Sequence, residues 1–300
     1  MATATTKSKR KSKSASGKKG RRREPTLAEL ADKFDCYQKS VQEPEHEVEF
    51  FEQAFRDAYG RRPFTLREDF SGTSAVCCEW VKSRKKRTAV GVDLCGETLQ
   101  WARDNNVALL SKHEQGRVRL VEEDVRSKAD GAADGAADGQ VDVLAAQNFS
   151  FWFFKERSEV VDYFKIAREN LNAEGVMVMD MMGGGDCYTE GHTDRRVIGK
   201  GKKAFGYEWE QERFDPITRD ATMHIHFSFS DGSRMDRAFS YHWRFWTIPE
   251  VREMLAEAGF AENHVYWEQE DEDGEDTGEF ARQDAAENCD AWVCYIVAVK

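Results

Sequence analysis

Phe64-Thr65-Leu66-Arg67-Glu68-Asp69-Phe70-Ser71-Gly72-Thr73-Ser74-Ala75, followed one helix later by Thr88-Ala89-Val90-Gly91-Val92-Asp93-Leu94, is the stretch that decides the fold. It reads as strand, tight loop, helix, strand, with acids where the two strands end, Glu68 and Asp93. In an open parallel sheet the carboxyl ends of the strands face one crevice, and ligands bind there. A carboxylate at the tip of the second strand is placed to accept hydrogen bonds from two ribose hydroxyls. The Gly72-Thr73 step lets the backbone approach a ligand at the start of a helix. The competing reading, two acids at an ordinary surface turn, is weakened for Asp93 by its βαβ setting.

Downstream the chain keeps a beat. Helices are expected over Ser74 to Lys82, Glu97 to Ser111 and Ser158 to Asn170, and strands over Thr88 to Asp93, Val118 to Val121, Val141 to Ala146 and Val176 to Asp180. The polar residues closing the strands are Glu68, Asp93, Asp124, Asn148 and Asp180, separated by 25, 31, 24 and 32 residues. Each step fits one strand, crossover helix and return strand, about 30 residues. Right-handed crossovers then bring all five to one edge of one sheet.

Upstream, residues 1–23 hold ten Lys or Arg and no acid, so residues 1–24 are expected to form a disordered basic tail. A helical arm follows over 25–62, with Tyr37 and Gln38 as lid residues and Val48, Phe51, Phe55 and Ala58 at helical spacing. The remaining domain, 63–300, contains an inserted flap at about 186–247, where alternating segments flank Ser230-Asp231-Gly232-Ser233 as a hairpin. Pro249 opens a helix that stops at Gly259. Phe260 to Trp267 and Ala291 to Val299 read as an antiparallel pair at the sheet edge, joined by an acidic loop. Asp130 to Gly139, a short repeat of Asp, Gly and Ala, reads as an expanded surface loop.

The net charge of −11 conceals an asymmetry: beyond residue 23 the chain carries 34 basic and 55 acidic residues. An acidic body disfavours a broad nucleic-acid face, which needs clustered cations. Nucleic-acid binding through the basic tail remains the less favoured option. Seven cysteines without paired Cys-x-x-Cys spacing, and no signal peptide, indicate a reduced, cytoplasmic setting. No run of eighteen apolar residues exists, so no membrane association is expected. The oligomeric state is not legible.

A Rossmann-like sheet serves either a nicotinamide cofactor or S-adenosyl-L-methionine. A pyrophosphate needs a glycine-rich loop, and here only Gly72 lies between Phe70 and Ser74. S-Adenosylmethionine has no phosphate and tolerates that loss better. Separate acids suit its ribose, its adenine amine and its cationic groups.

The order Glu68-Asp69-Phe70-Ser71-Gly72-Thr73, Gly91-Val92-Asp93-Leu94, Glu123-Asp124-Val125 and Gln147-Asn148-Phe149-Ser150 resembles class I S-adenosylmethionine-dependent methyltransferases, over about residues 31–300. Phe70 and Ser74 stand where that family usually has glycine. The resemblance implies a mostly parallel, seven-stranded Rossmann-like α/β sheet, with helices on both faces, an antiparallel edge strand and an inserted antiparallel flap. It implies a cofactor site of Glu68, Phe70, Gly72, Asp93, Leu94, Asp124, Val125, Asn148 and Phe149. Glu68 and Gly72 would line the methionine and ribose portion, Asp93 the ribose hydroxyls, Asp124 the adenine amine. Asn148 and Phe149 would lie nearest the transferring methyl group.

The expected function is methyl transfer to a small-molecule acceptor, with Asn148, Tyr188 and His192 as candidate catalytic groups. His224, His226, Tyr241 and His242 on the flap are further candidates for a base. His224 and His226 share a strand face without a third ligand at suitable spacing, so no metal site is expected. The rival readings are an RNA or protein methyltransferase tethered by the tail, a nicotinamide oxidoreductase, and a non-catalytic binding module.

Overall fold

The computed structural model describes residues 23–127, 139–271 and 276–300. The basic tail up to residue 22, the Asp/Gly/Ala repeat up to residue 138 and part of the acidic stretch, 272–275, lie outside the described residues.

The arm comprises α1 (Leu27–Leu30), α2 (Lys33–Val41) and α3 (Pro44–Tyr59). Then come β1 (Thr65–Asp69), α4 (Ala75–Ser83), β2 (Thr88–Asp93), α5 (Gly96–Asn105), α6 (Lys112–Gln115), β3 (Val118–Glu122), β4 (Val141–Ala146), α7 (Arg157–Glu169) and β5 (Leu171–Gly183). Four strands form the flap: β6 (Thr193–Ile198), β7 (Phe205–Phe214), β8 (Asp220–Ser228) and β9 (Arg234–Arg244). The chain ends with α8 (Ile248–Glu257), β10 (Glu262–Glu270), β11 (Asp276–Gln283) and β12 (Trp292–Val299).

The large sheet runs β11-β10-β12-β5-β4-β1-β2-β3, parallel from β3 through β5 and antiparallel from β5 through β12 and β10 to β11. It has eight strands, not the expected seven. The additional one, β11, pairs with β10 at the edge, where Val265 faces Gln283. Its sequence is mostly polar, with Phe280 its one large apolar residue, so it lacks the alternation that marks a strand. Polar composition is normal for an edge strand, whose outer side must not invite pairing.

The single helix expected over Glu97 to Ser111 is broken. α5 stops at Asn105, a 3-10 turn follows at Val107–Leu109, and Ser111 restarts the chain as α6. Ser111 and Glu114 form a reciprocal capping box there, a signal that competes with helix continuation.

Both faces of the parallel strands are covered, as their alternation requires. Val143 and Ala145 face a core with Phe51, Phe55, Trp80 and Val81 of α3 and α4. Leu144 and Ala146 face the opposite core, with Tyr163 and Phe164 of α7 and Met254 and Leu255 of α8. Phe51 and Phe55 are fully buried, worth roughly 1.5–3 kcal/mol each.

The flap sheet is held over this frame by α2. Cys36 packs with Phe205, Tyr207, Ile225 and Phe227, and the Tyr37 ring lies 4.9 Å from Phe239. Farther along the arm, Thr73 Oγ1 donates to Gln42 Oε1 at 3.0 Å, and Gln38 shares hydrogen bonds with Asn106. At its other end, the Leu27 and Ala28 amides donate to Asp231 and Ser233 at the tip of the β8–β9 hairpin. Among the described residues, no helix is long and apolar enough to cross a membrane.

Candidate active site

The register places Asp69 beside Val92 and Ala146, Asp93 beside Glu122, and Ala146 beside Met179. The tips of β1, β2, β3, β4 and β5 therefore share one edge, and β1 sits between β2 and β4, where the strand order reverses. That reversal opens the crevice of a doubly wound sheet.

The first loop lies down on β2. The Ser71 amide donates to the Val92 carbonyl at 3.0 Å, and a Cβ on Gly91 would come within 2.8 Å of Ser71 Oγ. Phe70, Gly72 and Ser74 all adopt positive φ, at 56°, 48° and 54°. Phe70 and Ser74 thus keep the left-handed backbone that glycine adopts freely, a conformation that costs other residues about 1–2 kcal/mol. The Phe70 ring is anchored 5.8 Å from Tyr163 and 5.9 Å from Phe154.

Asp93 ties this loop to the next. Its Oδ2 accepts the Gly72 amide and its Oδ1 the Cys95 amide, each at 2.8 Å. Each oxygen keeps lone-pair capacity for a further donor. Leu94 beside it is 65% exposed. Glu68 is buried below, accepting the Cys77 amide at 3.1 Å, and burial pushes its carboxyl up to about 7.

Asp124 is more engaged. Its carboxylate takes the Arg126 amide at 2.8 Å and the Arg126 guanidinium at 2.7 to 3.3 Å, and the hydrogen bond to that side chain lowers its pKa. Val125 is buried, and its carbonyl accepts from Arg67 at 2.9 Å. Arg67 also pairs with Asp69 at 2.6 Å, and the Tyr163 hydroxyl donates to Asp69 at 3.1 Å.

At the other end of the row, Asn148 and Phe149 both have φ of 57°. Their amides donate to the two oxygens of Asp180, each at 2.8 Å, which holds the strained turn in place. Burial raises the Asp180 carboxyl to about 7. The Phe149 ring lies 6.2 Å from Trp243, which packs 4.5 Å from Tyr241 on the flap.

Asp93, Gly72, Asp124, Val125, Asn148 and Phe149 therefore lie along one edge. Tyr188 and His192 belong to a neighbouring cluster. Tyr188 packs on Phe214 and Phe245 and its hydroxyl accepts from Arg219, while His192 lies 3.8 Å from Asp186. Phe245 and Trp152 stand between Tyr188 and Phe149. His224 and His226 are buried in the flap, bonded to Ser240 and Glu212 and to Glu210 and Asp236 respectively. Among the described residues no group of three or more His, Cys, Asp or Glu is arranged to hold a metal.

Four side chains here were not anticipated: Arg67, Asp69, Arg126 and Glu47. Arg67 and Asp69 stand two apart on β1, so they share one face of a buried strand, where opposite charges pair. Glu47 stands four residues before Phe51 and so shares its buried helical face.

No protein-family model matches the chain, and no curated protein matches it. Solved structures do. An amino pentose methyltransferase of Micromonospora echinaspora, CalS10, with S-adenosylmethionine bound, aligns with a TM-score of 0.60 at 17% identity, over 88% of this chain and 94% of that one. An S-adenosylmethionine-dependent methyltransferase of Clostridium acetobutylicum aligns at 0.61 and 15% identity, over 88% and 96%. The sugar N-methyltransferase KedS8 of a Streptoalloteichus species aligns at 0.59 and 14%, over 96% and 99%. The chain has the Rossmann-like methyltransferase fold that these proteins share.

Proposed function

We propose that this chain is an S-adenosyl-L-methionine-dependent methyltransferase acting on a small-molecule acceptor. The observation that carries the reading is the row of groups at the sheet's switch point. Gly72 and Asp93 lie at one end, Asn148 and Phe149 at the other, each pair fixed by its own carboxylate hydrogen bonds.

The donor set fits the cofactor. Asp93 keeps capacity for the two ribose hydroxyls, and a Cβ on Gly72 would meet no atom nearer than the Phe70 carbonyl at 3.9 Å, so a ligand can approach the loop. Asp124 would receive the adenine amine with the lone pair Arg126 leaves free, and Val125 would flank the ring. Glu68 and Phe70 would border the methionine portion, and Leu94 the ribose. The bound cofactor supplies an electrophilic methyl group on a sulfonium.

The chain's own residues supply alignment and shelter. Asn148 and Phe149 are held in place by Asp180, and Phe149 with Trp243 and Tyr241 of β9 forms an aromatic wall between the turn and the flap. Holding two reactants in line removes much of the entropic barrier. The acidic body and the flap closing over the edge favour a small acceptor over a nucleic acid. The names of the amino pentose and sugar enzymes above support a sugar-like molecule.

Calorimetry with S-adenosylhomocysteine and with NAD tests the reading. Binding of the first and not the second is expected. Binding of NAD alone overturns it.

A further inference from the structure

Glu47 is a carboxylate without a partner. It sits in the first turn of α3, only 7% exposed, and its Oε2 is fully enclosed with no hydrogen bond. A buried acceptor left unmatched costs free energy, and a donor brought by a bound molecule would offset that cost.

The position of Glu47 can be fixed from its neighbours. One turn on, Phe50 lies on the same helical face and stacks 4.0 Å from Tyr295, the register partner of Asp180. The far end of α3 is tied to the early part of β5 by the Tyr59 hydroxyl on the Gly175 carbonyl, while Phe50 lies level with Asp180, so the first turn of α3 stands toward the carboxyl edge. Just before it, Gln42 bonds Thr73 of the first loop.

The groups facing Glu47 come from every element around it. Burial raises its carboxyl well above the ordinary range, and the charges of Glu68 on β1, Asp180 on β5 and Glu43 at the arm raise it further. Tyr37 of α2 faces the same space, since the Asp180 and Glu47 charges both add to the burial that raises its phenol. Tyr37 and Tyr241 pack against the same apolar cluster of the flap. Among the described residues no basic side chain is paired with Glu47, and carboxylates and phenols are its titratable neighbours.

We infer that Glu47, with Asp180 and the Tyr37–Tyr241 pair, forms an amine-binding subsite, so that the methylated atom is a nitrogen of a primary or secondary amine. The inference rests on the methyltransferase reading and names its acceptor class. An ammonium supplies what the enclosed Oε2 lacks, a charged N–H donor. Aromatic faces at Tyr241, Trp243 and Phe149 suit a cation as well.

The same carboxylate then disposes of the proton. An amine nitrogen attacks only through its free lone pair, so it must arrive neutral or shed a proton. As the N–C bond forms, the methyl–sulfur bond breaks with its electron pair left on sulfur. The proton released from nitrogen passes to Glu47, which the bound ammonium holds in its ionised form and which becomes the neutral acid that burial favours.

The test uses the full chain and Glu47→Gln, with Glu47→Asp as the conservative control. S-Adenosylhomocysteine binding is measured first by calorimetry. Ethanolamine and glucosamine are then titrated into the protein saturated with S-adenosylhomocysteine, with ethylene glycol and glucose as neutral counterparts. Both amines are expected to bind the wild type and the neutral compounds not to bind. Glu47→Gln is expected to keep S-adenosylhomocysteine affinity within twofold and to lose amine affinity at least tenfold, with Glu47→Asp in between. No amine binding by the loaded wild type, or binding unchanged in Glu47→Gln, overturns the inference. A tenfold loss of S-adenosylhomocysteine affinity in Glu47→Gln also overturns it, because Glu47 would then hold the cofactor's own ammonium. Failure of the wild type to bind S-adenosylhomocysteine at all is a different result and removes the methyltransferase reading instead. Should Glu47→Gln not fold, the Tyr241→Phe protein, expected to lose at least threefold in amine affinity alone, carries the test.

Discussion

The Gly72 amide donates to Asp93 Oδ2 at 2.8 Å, so the loop after β1 and the tip of β2 form one unit. The carboxylate that shapes the loop is also the group offered to the ribose. Asp93→Ala is expected to weaken S-adenosylhomocysteine binding by about 1–3 kcal/mol, since polar groups on both sides lose their partner. An unchanged dissociation constant in calorimetry would remove Asp93 from the site.

Phe70 and Ser74 carry the same backbone strain with different compensation. Ser74 contributes little beyond a 3.2 Å contact with Ser71 Oγ, whereas Phe70 packs on two rings. Ser74→Gly relieves the positive φ but frees the unfolded chain, and its net effect in urea denaturation is expected to stay within about 1 kcal/mol. Phe70→Gly is expected to destabilise by about 2 kcal/mol, because lost ring packing exceeds the relief. Equal effects would contradict this division.

Arg67 and Asp69 form an enclosed ion pair on β1 at 2.6 Å. Arg67→Met strands the Asp69 charge and is expected to cost about 3–5 kcal/mol. The double variant Arg67→Met/Asp69→Asn removes that charge and is expected to recover at least half the loss. If it is no more stable than the single variant, the pair is not the source of the effect.

Asp180 is raised to about 7 by burial, well above its ordinary carboxyl value. A group raised in the folded state contributes stability that is complete below its unfolded pKa and is lost as pH climbs through the folded value. Wild-type stability is therefore expected to fall between about pH 4 and pH 7, by about 1.4 kcal/mol per pH unit for this group. Asp180→Asn flattens that slope. Urea melts at pH 5 and pH 7 for both proteins check it, and identical pH dependence would refute it.

The parallel core and its ligand edge were legible because they rest on local patterns. Asp93 and Asn148 stand at the ends of strands whose apolar runs are unambiguous, and β4 spans Val141–Ala146 as the pattern indicates, whereas β5 runs three residues past Asp180 to Gly183 because β12 pairs with it there. β11 was not legible, since an edge strand held by its backbone ladder needs no apolar alternation. Glu47 was hidden for another reason. Its helical phase places it inward, yet whether an inward acid meets a cation, a hydroxyl or nothing depends on Asp180 and Tyr37, 133 residues apart in β5 and ten residues back in α2. Arg126 was similarly invisible as the clamp on Asp124, because two neighbouring opposite charges look like any polar turn.

The arm joins three bodies in sequence: hairpin tip at Asp231, first loop at Thr73, central sheet at Tyr59. The flap is also joined to the sheet at its own two ends, through β5 and α8. Sheet, arm and flap are thus linked in a circuit, with noncovalent contacts at Asp231, Thr73 and Asn106 and the packing of Cys36 and Tyr37 on the flap. Lifting the flap from the edge would therefore load the polar contacts of Leu27 and Gln42, which tie the arm to both bodies.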